Sequence, residues 1–444
     1  MRIPKNRFGK LLGVMLVLLV IVFNMFILLN PDVGLSGKTV YKARTGQRSY
    51  AFNGTISREV LESYLSRSIT VTDLLKRNWL EASWVKGNVN DSIRCITNIS
   101  AKYIGRTIFT WNQEKSLFAN INDSKKIAEK IHGIDPEIIL QGCFFEAVST
   151  QVNSIPIPGW VFEEFGLSPE SRNFSYNSMF DTNWHYVNYW EKTSKENSSV
   201  PDISKLETKM WAFFLSATFI NIGIEAMHFG NINQMSSNDH QHLHLLDILQ
   251  HVRAYAKIHA RRHMVLCDAH VSISSREYMN GYNLMFDFHA FPLRPEEVAS
   301  EPEKAILVVG HSDSIYKRSQ GGVAPSGWTC DSLPYLVEFD NFGASGHPGE
   351  PIGGDWTWGY DEITWYAVQP EQYRNNWLWY AVRWLEQSDP NGFLEMPGSR
   401  PISVAINGGH QYFANTAGVN MTNGFNQEAT IKSIWEQIPN FYLT

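Results

Sequence analysis

A short apolar run that closes on an acid or an imidazole recurs along this chain, and it constrains the fold more than any other feature. It occurs at 138–146 (IILQGCFFE), 219–228 (FINIGIEAMH), 263–270 (HMVLCDAH) and 284–289 (LMFDFH). It returns at 305–313 (AILVVGHSD) and 335–341 (YLVEFDN). Runs of this length, rich in Val, Ile, Leu and Phe, read as strands buried on both faces, as in parallel sheets. Six polar ends in succession predict that the strand ends converge on one site.

Two further runs, 101–111 (AKYIGRTIFTW) and 393–398 (FLEMPG), bring the strand candidates to eight. Helical periodicity separates most of them, over 114–132, 204–216, 240–259 and 370–387, with a last helix over 426–437. Further helices are expected over 56–75 and 89–100. Alternation of this kind predicts an α/β chain folded as a (β/α)8 TIM barrel over residues 56–444. The links 271–283 and 290–304 are short, so helices there would be stunted, and an open doubly wound sheet is the alternative. Two long insertions, 149–203 and 342–367, follow strand ends and in a barrel would overhang the same mouth.

The first thirty residues differ from the rest. Arg2, Lys5, Arg7 and Lys10 precede an apolar stretch, 11–29, about long enough to span a bilayer. The basic flank predicts a cytoplasmic tip, with the bulk of the chain exported, either on an uncleaved anchor or after cleavage of a signal. Residues 31–55 read as a tether. Membrane is thus one expected partner. The net charge of −6 gives no basic footprint, so nucleic acid is not expected as another. The four cysteines form no C-x-x-C pair, and a Cys95–Cys330 disulfide is possible.

In a barrel the active site lies at the C-terminal face of the strands. Carboxylates at those ends are Glu146, Glu225, Asp268, Asp287, Asp313, Glu338, Asp340 and Glu395; His228, His270, His289 and His311 join them. Residues two apart share a face, so Asp268 with His270, Asp287 with His289, His311 with Asp313, and Glu338 with Asp340 are same-side pairs. Two carboxyl groups flanking a bond are the requirement of glycoside hydrolysis. Aromatic residues make up 13 % of the chain, and Trp356 and Trp358 stand in a Gly-rich loop suited to stacking on a sugar.

The strand order and these end residues resemble the superfamily of (β/α)8 glycosidases with an acid on strand four and a nucleophile on strand seven. The resemblance implies a carbohydrate substrate, Glu338 or Asp340 as nucleophile or base, and Asp268 as acid. That superfamily carries Asn-Glu at strand four where this chain has Asp268-Ala269-His270, so Asp287, Glu146 and Glu225 stand as alternative acids. The histidines, Glu395 and Arg400 are expected to contact substrate or orient carboxylates. No cofactor or metal is expected. Two rivals are a metal-dependent hydrolase on the same fold and a non-catalytic surface glycan-binding protein. The chain shows no nucleophilic serine elbow, phosphate loop or dinucleotide fingerprint.

Overall fold

A computed structural model describes residues 48–441 apart from 191–196, 272–277, 315, 317–318, 343–346 and 351–356, with side chains to 436. The expected anchor, most of the tether and Trp356 lie outside the described residues. Among those described, no helix is long and apolar enough to cross a membrane.

The main sheet has ten strands. In chain order they are β1 (Ser68–Val71), β2 (Tyr103–Phe109), β3 (Ile139–Cys143), β4 (Ala226–Asn231) and β5 (Leu266–His270). Then come β6 (His289–Pro292), β7 (Tyr335–Glu338), β8 (Gly392–Leu394), β9 (Met396–Ile406) and β10 (Gly409–Phe413). Neighbours from β1 to β8 pair in parallel, in sequence order. β8 and β9 are one chain run with only Glu395 between them. Its first residues pair with β7 and its later ones, Met396 to Ser399, pair in parallel with β1. The sheet therefore curls until its two edges meet in a single strand, as in a TIM-like fold.

Helices α1 (Arg58–Leu65), α2 (Val89–Asn98), α3 (Glu114–Ile134), α4 (Leu206–Ile220) and α5 (Leu243–His259) punctuate the first half. α6 (Glu362–Val368), α7 (Glu371–Ser388) and α8 (Glu428–Phe441) follow β7 and β10. Between β5 and β7 the described residues form small strands in place of long helices, including the sheet of 279–280, 283–284, 322–323 and 329–330.

The inward face is laid down in layers. Tyr103, Ile139, Ala226, Leu266, Phe288, Leu336 and Phe393 pack together at the N-terminal end. Helix α1 plugs that end with Leu61, Tyr64 and Leu65, which share one helical face. Each such fully buried side chain contributes about 1.5–3 kcal/mol. Two residues further along, the same face carries Gly105, Gln141, His228, Asp268, Ala290, Glu338 and Glu395. The second layer of this barrel is polar.

Two strand assignments change. Residues 305–313 are not a barrel strand: only Ala305–Ile306 pair, antiparallel, with Glu296–Glu297. The segment is apolar because it packs on α7, where Tyr373 and Tyr380 accept its backbone N–H groups and Trp377 donates to the Ala305 carbonyl. The eighth strand is instead β1, inside the region expected to be helical. Only four residues long, with Ser68 and Thr70 buried, β1 lacks the apolar signature. Run 263–270 is consequently the fifth strand, and the fourth carries His228. The described cysteines are all free: Cys95 is on α2 and Cys330 is in the small separate sheet.

Candidate active site

Glu338 ends β7 and is the hub of the mouth. Arg106 reaches across from β2 to its Oε1, His270 Nε2 lies 2.6 Å from the same oxygen, and Arg400 Nη1 lies 2.6 Å from Oε2. Burial pushes the Glu338 carboxyl upward, but Arg106, Arg400 and His270 outweigh it and hold the group well below the ordinary range. Arg400 is itself completely buried, and Asn341 Oδ1 accepts from its Nε and Nη2 at 3.1 and 2.7 Å. Arg400 therefore bridges to a carboxylate and presents no open guanidinium to a ligand.

Arg106 reaches Glu338 because β2 bulges. The β2–β3 register shifts between Ile104 and Ile108, and Arg106 takes a left-handed conformation with φ 57°. That backbone costs about 1–2 kcal/mol for a residue with a side chain. The Gln141 Oε1 holds it in place by accepting the Arg106 N–H at 3.0 Å, and the Asp73 N–H donates to the Arg106 carbonyl. Bulges of this kind re-aim side chains next to functional sites.

Gln141 also serves the other carboxylate. Its amide donates to Asp268 Oδ1 at 2.8 Å, while Asp268 Oδ2 lies 2.6 Å from His228 Nδ1. Burial pushes the Asp268 carboxyl well above its usual range and the His228 imidazole well below its own. Glu395 sits over Gly105 with Oε1 buried and without a hydrogen-bond partner among the described residues. Burial, and then the Glu338 charge, raise it to about 8. The Tyr103 hydroxyl, one layer below, is also buried, with no hydrogen-bond partner among the described residues.

A second ionic group lines the rim. Arg294 contacts Asp313 Oδ2 at 2.8 Å, Asp340 Oδ2 at 3.2 Å and Glu362 Oε1 at 3.0 Å. Asp340 is raised by burial and lowered more strongly by Arg294 and His270, ending below its ordinary value. Glu362, capping the Leu293, Arg294 and Asp340 N–H groups, is pushed by burial up to about 7. His311 Nε2 lies 3.3 Å from Glu296 Oε1. Trp358, half-buried at φ 50°, lies in the loop whose Thr357 hydroxyl donates to the Pro295 carbonyl.

Glu146 accepts from the Asn231 N–H at 2.8 Å and fills the space above Gly230, so it fixes the end of β4. Three expected site residues lie elsewhere. Glu225 precedes β4 and is bound by Arg261 and Arg262 at the plugged end, because run 219–228 is helix to Ile220 and strand only from Ala226. Asp287 precedes β6, faces outward, and takes the Cys267 N–H and Arg253 at 2.9 Å each. His289 shares that outward face, bonded to Ser319 and lowered by burial to about 3. The expected same-side pairing of Asp287 and His289 holds, but the side is the outer one.

Arg106 and Gln141 are the site residues that the sequence reading passed over. Neither is at a strand end. Only the interruption of an apolar run by Gln141, and the Gly105-Arg106 step inside another, marks them. The aromatic wall beside the mouth was also unmarked: Phe145 stacks edge-on with Phe109 and Trp111, and Trp111 with Trp190, at centroid distances of 5.0, 5.6 and 5.0 Å. The Arg106 guanidinium lies 5.1 Å from the centre of the Phe145 ring.

No family model matches the chain, and no curated protein matches it. Among solved structures it is similar to the debranching enzyme of Nostoc punctiforme. The acarbose-soaked form aligns at TM-score 0.42 and 11 % identity, over 85 % of this chain and 81 % of that one. The native form aligns at TM-score 0.39 and 11 % identity, over 85 % and 80 %.

Proposed function

We propose that this chain is a glycoside hydrolase, with Glu338 as the anionic group that meets the positive charge developing on the anomeric carbon. The supporting observation is that one mouth gathers Glu338, clamped by Arg106, His270 and Arg400, with the buried carboxyls of Asp268 and Glu395 beside it. Arg106, Arg400 and His270 hold the Glu338 carboxyl below the ordinary range, while burial pushes Asp268 and Glu395 above it. Groups pushed apart in this way are suited to one anionic and one proton-donating role. Asp340, tied to Arg294, adds negative potential at the rim. The aromatic wall of Phe109, Trp111 and Trp190 offers faces on which a sugar ring can stack. Hydrolysis of a glycan panel by wild type and Glu338→Gln tests the reading. Folded wild type that cleaves no glycan, or a variant as active as wild type, removes it.

Non-catalytic glycan binding is a second reading, favoured by two observations. The end of β4, Phe229-Gly230-Asn231, carries no carboxylate, and both Glu338 oxygens are already engaged. On that reading Glu338→Gln binds oligosaccharide as wild type does, and neither turns it over. Export of residues 56–444 behind the apolar segment 11–29 is part of the proposal. Digestion of the domain by protease added to intact cells is the expected result, and protection speaks against it.

A further inference from the structure

Seven Asn-x-Ser/Thr motifs with no proline in the middle position occur along the chain, at Asn53, Asn90, Asn98, Asn122, Asn173, Asn197 and Asn420. In all seven the asparagine is exposed, whereas only eleven of the other twenty-two asparagines with described side chains are. Such a bias marks positions able to carry a bulky, solvated group without disturbing the core. Asn98 and Asn173 use an amide proton inside the fold: Nδ2 donates to Glu428 Oε1 at 2.6 Å in one and to the Asn153 carbonyl at 2.8 Å in the other. Asn197 adjoins residues outside those described.

The remaining four form no such bond among the described residues. Asn90 stands in the first turn of α2, where its Oδ1 accepts from Lys130 Nζ of α3 at 2.7 Å, so the oxygen is anchored and the nitrogen is the free end. Asn122 is exposed on α3, whose Leu117, Ser124, Ala128 and Ile131 are buried. Asn420 lies in the loop between β10 and α8, beside the exposed Val419. Asn53 precedes Gly54, whose N–H donates to the Arg262 carbonyl at the plugged end. None of the four is among the residues of the mouth.

We propose that the exported chain carries N-linked oligosaccharide at Asn53, Asn90, Asn122 and Asn420. This rests on the export reading and is independent of the glycosidase one. The donor is an oligosaccharide held on a lipid pyrophosphate. Asn Nδ2 attacks the anomeric carbon, and the C–O bond to pyrophosphate breaks with its electron pair leaving on the phosphate. One amide proton is released and one N–H stays. A C–N bond replaces the C–O bond, and nothing is oxidised or reduced.

The motif hydroxyl fixes when this happens, because a transferase reads the Ser or Thr two residues on. Thr55 and Thr422 are exposed. Ser92 and Ser124 are buried, and Ser124 Oγ donates to the Leu75 carbonyl at 2.7 Å. Asn90 and Asn122 are therefore acceptors only before the domain closes. Both leave the ribosome long before the run 392–399 that seals the sheet, so the motifs are open as they enter the exporting compartment.

Two measurements test this. Full-length protein from its own cells is treated with the glycosidase that converts each carrier Asn to Asp, and peptide masses are read. Conversion is expected at Asn53, Asn90, Asn122 and Asn420. Three or four bare amides, on a chain that protease added to intact cells digests, overturn the proposal and leave export standing. Bare amides on a protected chain remove export and the proposal with it. In the second, the folded, unmodified full chain is incubated with transferase and lipid-linked donor, beside peptides 88–94 and 120–126 that stand for the unfolded motifs. Both peptides should accept, Asn90 and Asn122 of the folded chain should not, and Asn420 should. Equal acceptance at Asn90 and Asn122 in peptide and folded chain overturns the timing.

Discussion

Gly105 lies directly beneath the Glu395 carboxyl, and a β-carbon on it would collide with Oε1. The contact joins the second strand to the run that closes the sheet, so the smallest side chain is a condition for the polar layer. Gly105→Ala should displace Glu395 and destabilise the fold by about 1–3 kcal/mol, as overpacking does. Urea unfolding measures it, and a variant as stable as wild type would mean that the carboxyl has room to move.

Glu395 makes stability fall with rising pH. Its folded value of about 8 exceeds the ordinary 4.5, so the native state binds the proton more tightly than the unfolded chain does. The contribution is complete below about pH 4.5 and is lost as pH rises through about 8. Glu395→Gln should therefore gain on wild type across that window, by on the order of a few kcal/mol at about 1.4 kcal/mol per pKa unit. Glu362, at about 7, keeps part of the slope in both proteins. Parallel curves of melting temperature against pH would refute the assignment.

Arg400 and Glu338 give the opposite sign. The folded Glu338 value is depressed, so its stabilisation is present above the ordinary carboxylate range and is lost as pH falls through the lower folded value. Arg400→Met leaves Arg106 and His270 on Glu338 but removes one partner of a buried pair, at about 3–5 kcal/mol. The deficit should be largest near neutrality and shrink below about pH 4. The acid limb of any glycan-cleaving activity should also move to higher pH.

Asp287→Asn separates architecture from chemistry. The amide oxygen can still accept the Cys267 N–H, but the charge facing Arg253 is gone. A loss of about 1–3 kcal/mol in stability is expected, with turnover unchanged. A large fall in turnover at unchanged stability would return Asp287 to the reaction.

Much of this arrangement was legible as sequence. β3, β5 and β7 show their burial as apolar runs, and period-two alternation places Asp268 with His270 and Glu338 with Asp340. Periodicity does not say which face is inside, and Asp287 with His289 fell on the other one. Nor does it reveal why a run is apolar: 305–313 is apolar because it covers α7. Strand β1 was hidden because its inward positions are Ser68 and Thr70. Arg106 was hidden because a bulge, not a strand end, points it at Glu338. Bulges depend on the register between two strands, and no single strand encodes that.

The run 392–399 that seals the sheet has a consequence for how the chain is made. β1 leaves the ribosome with one edge bare, and the strand that covers it follows more than three hundred residues later. At about 5–20 residues per second that is a wait of tens of seconds. Throughout it, β1 exposes unpaired backbone to any other nascent strand. Its brevity and buried hydroxyls, which hid it from sequence reading, also make it a poor template for aggregation. A chain stopped before residue 392 would carry two permanently open edges, and a nonsense mutation there should yield insoluble protein, not a smaller folded domain.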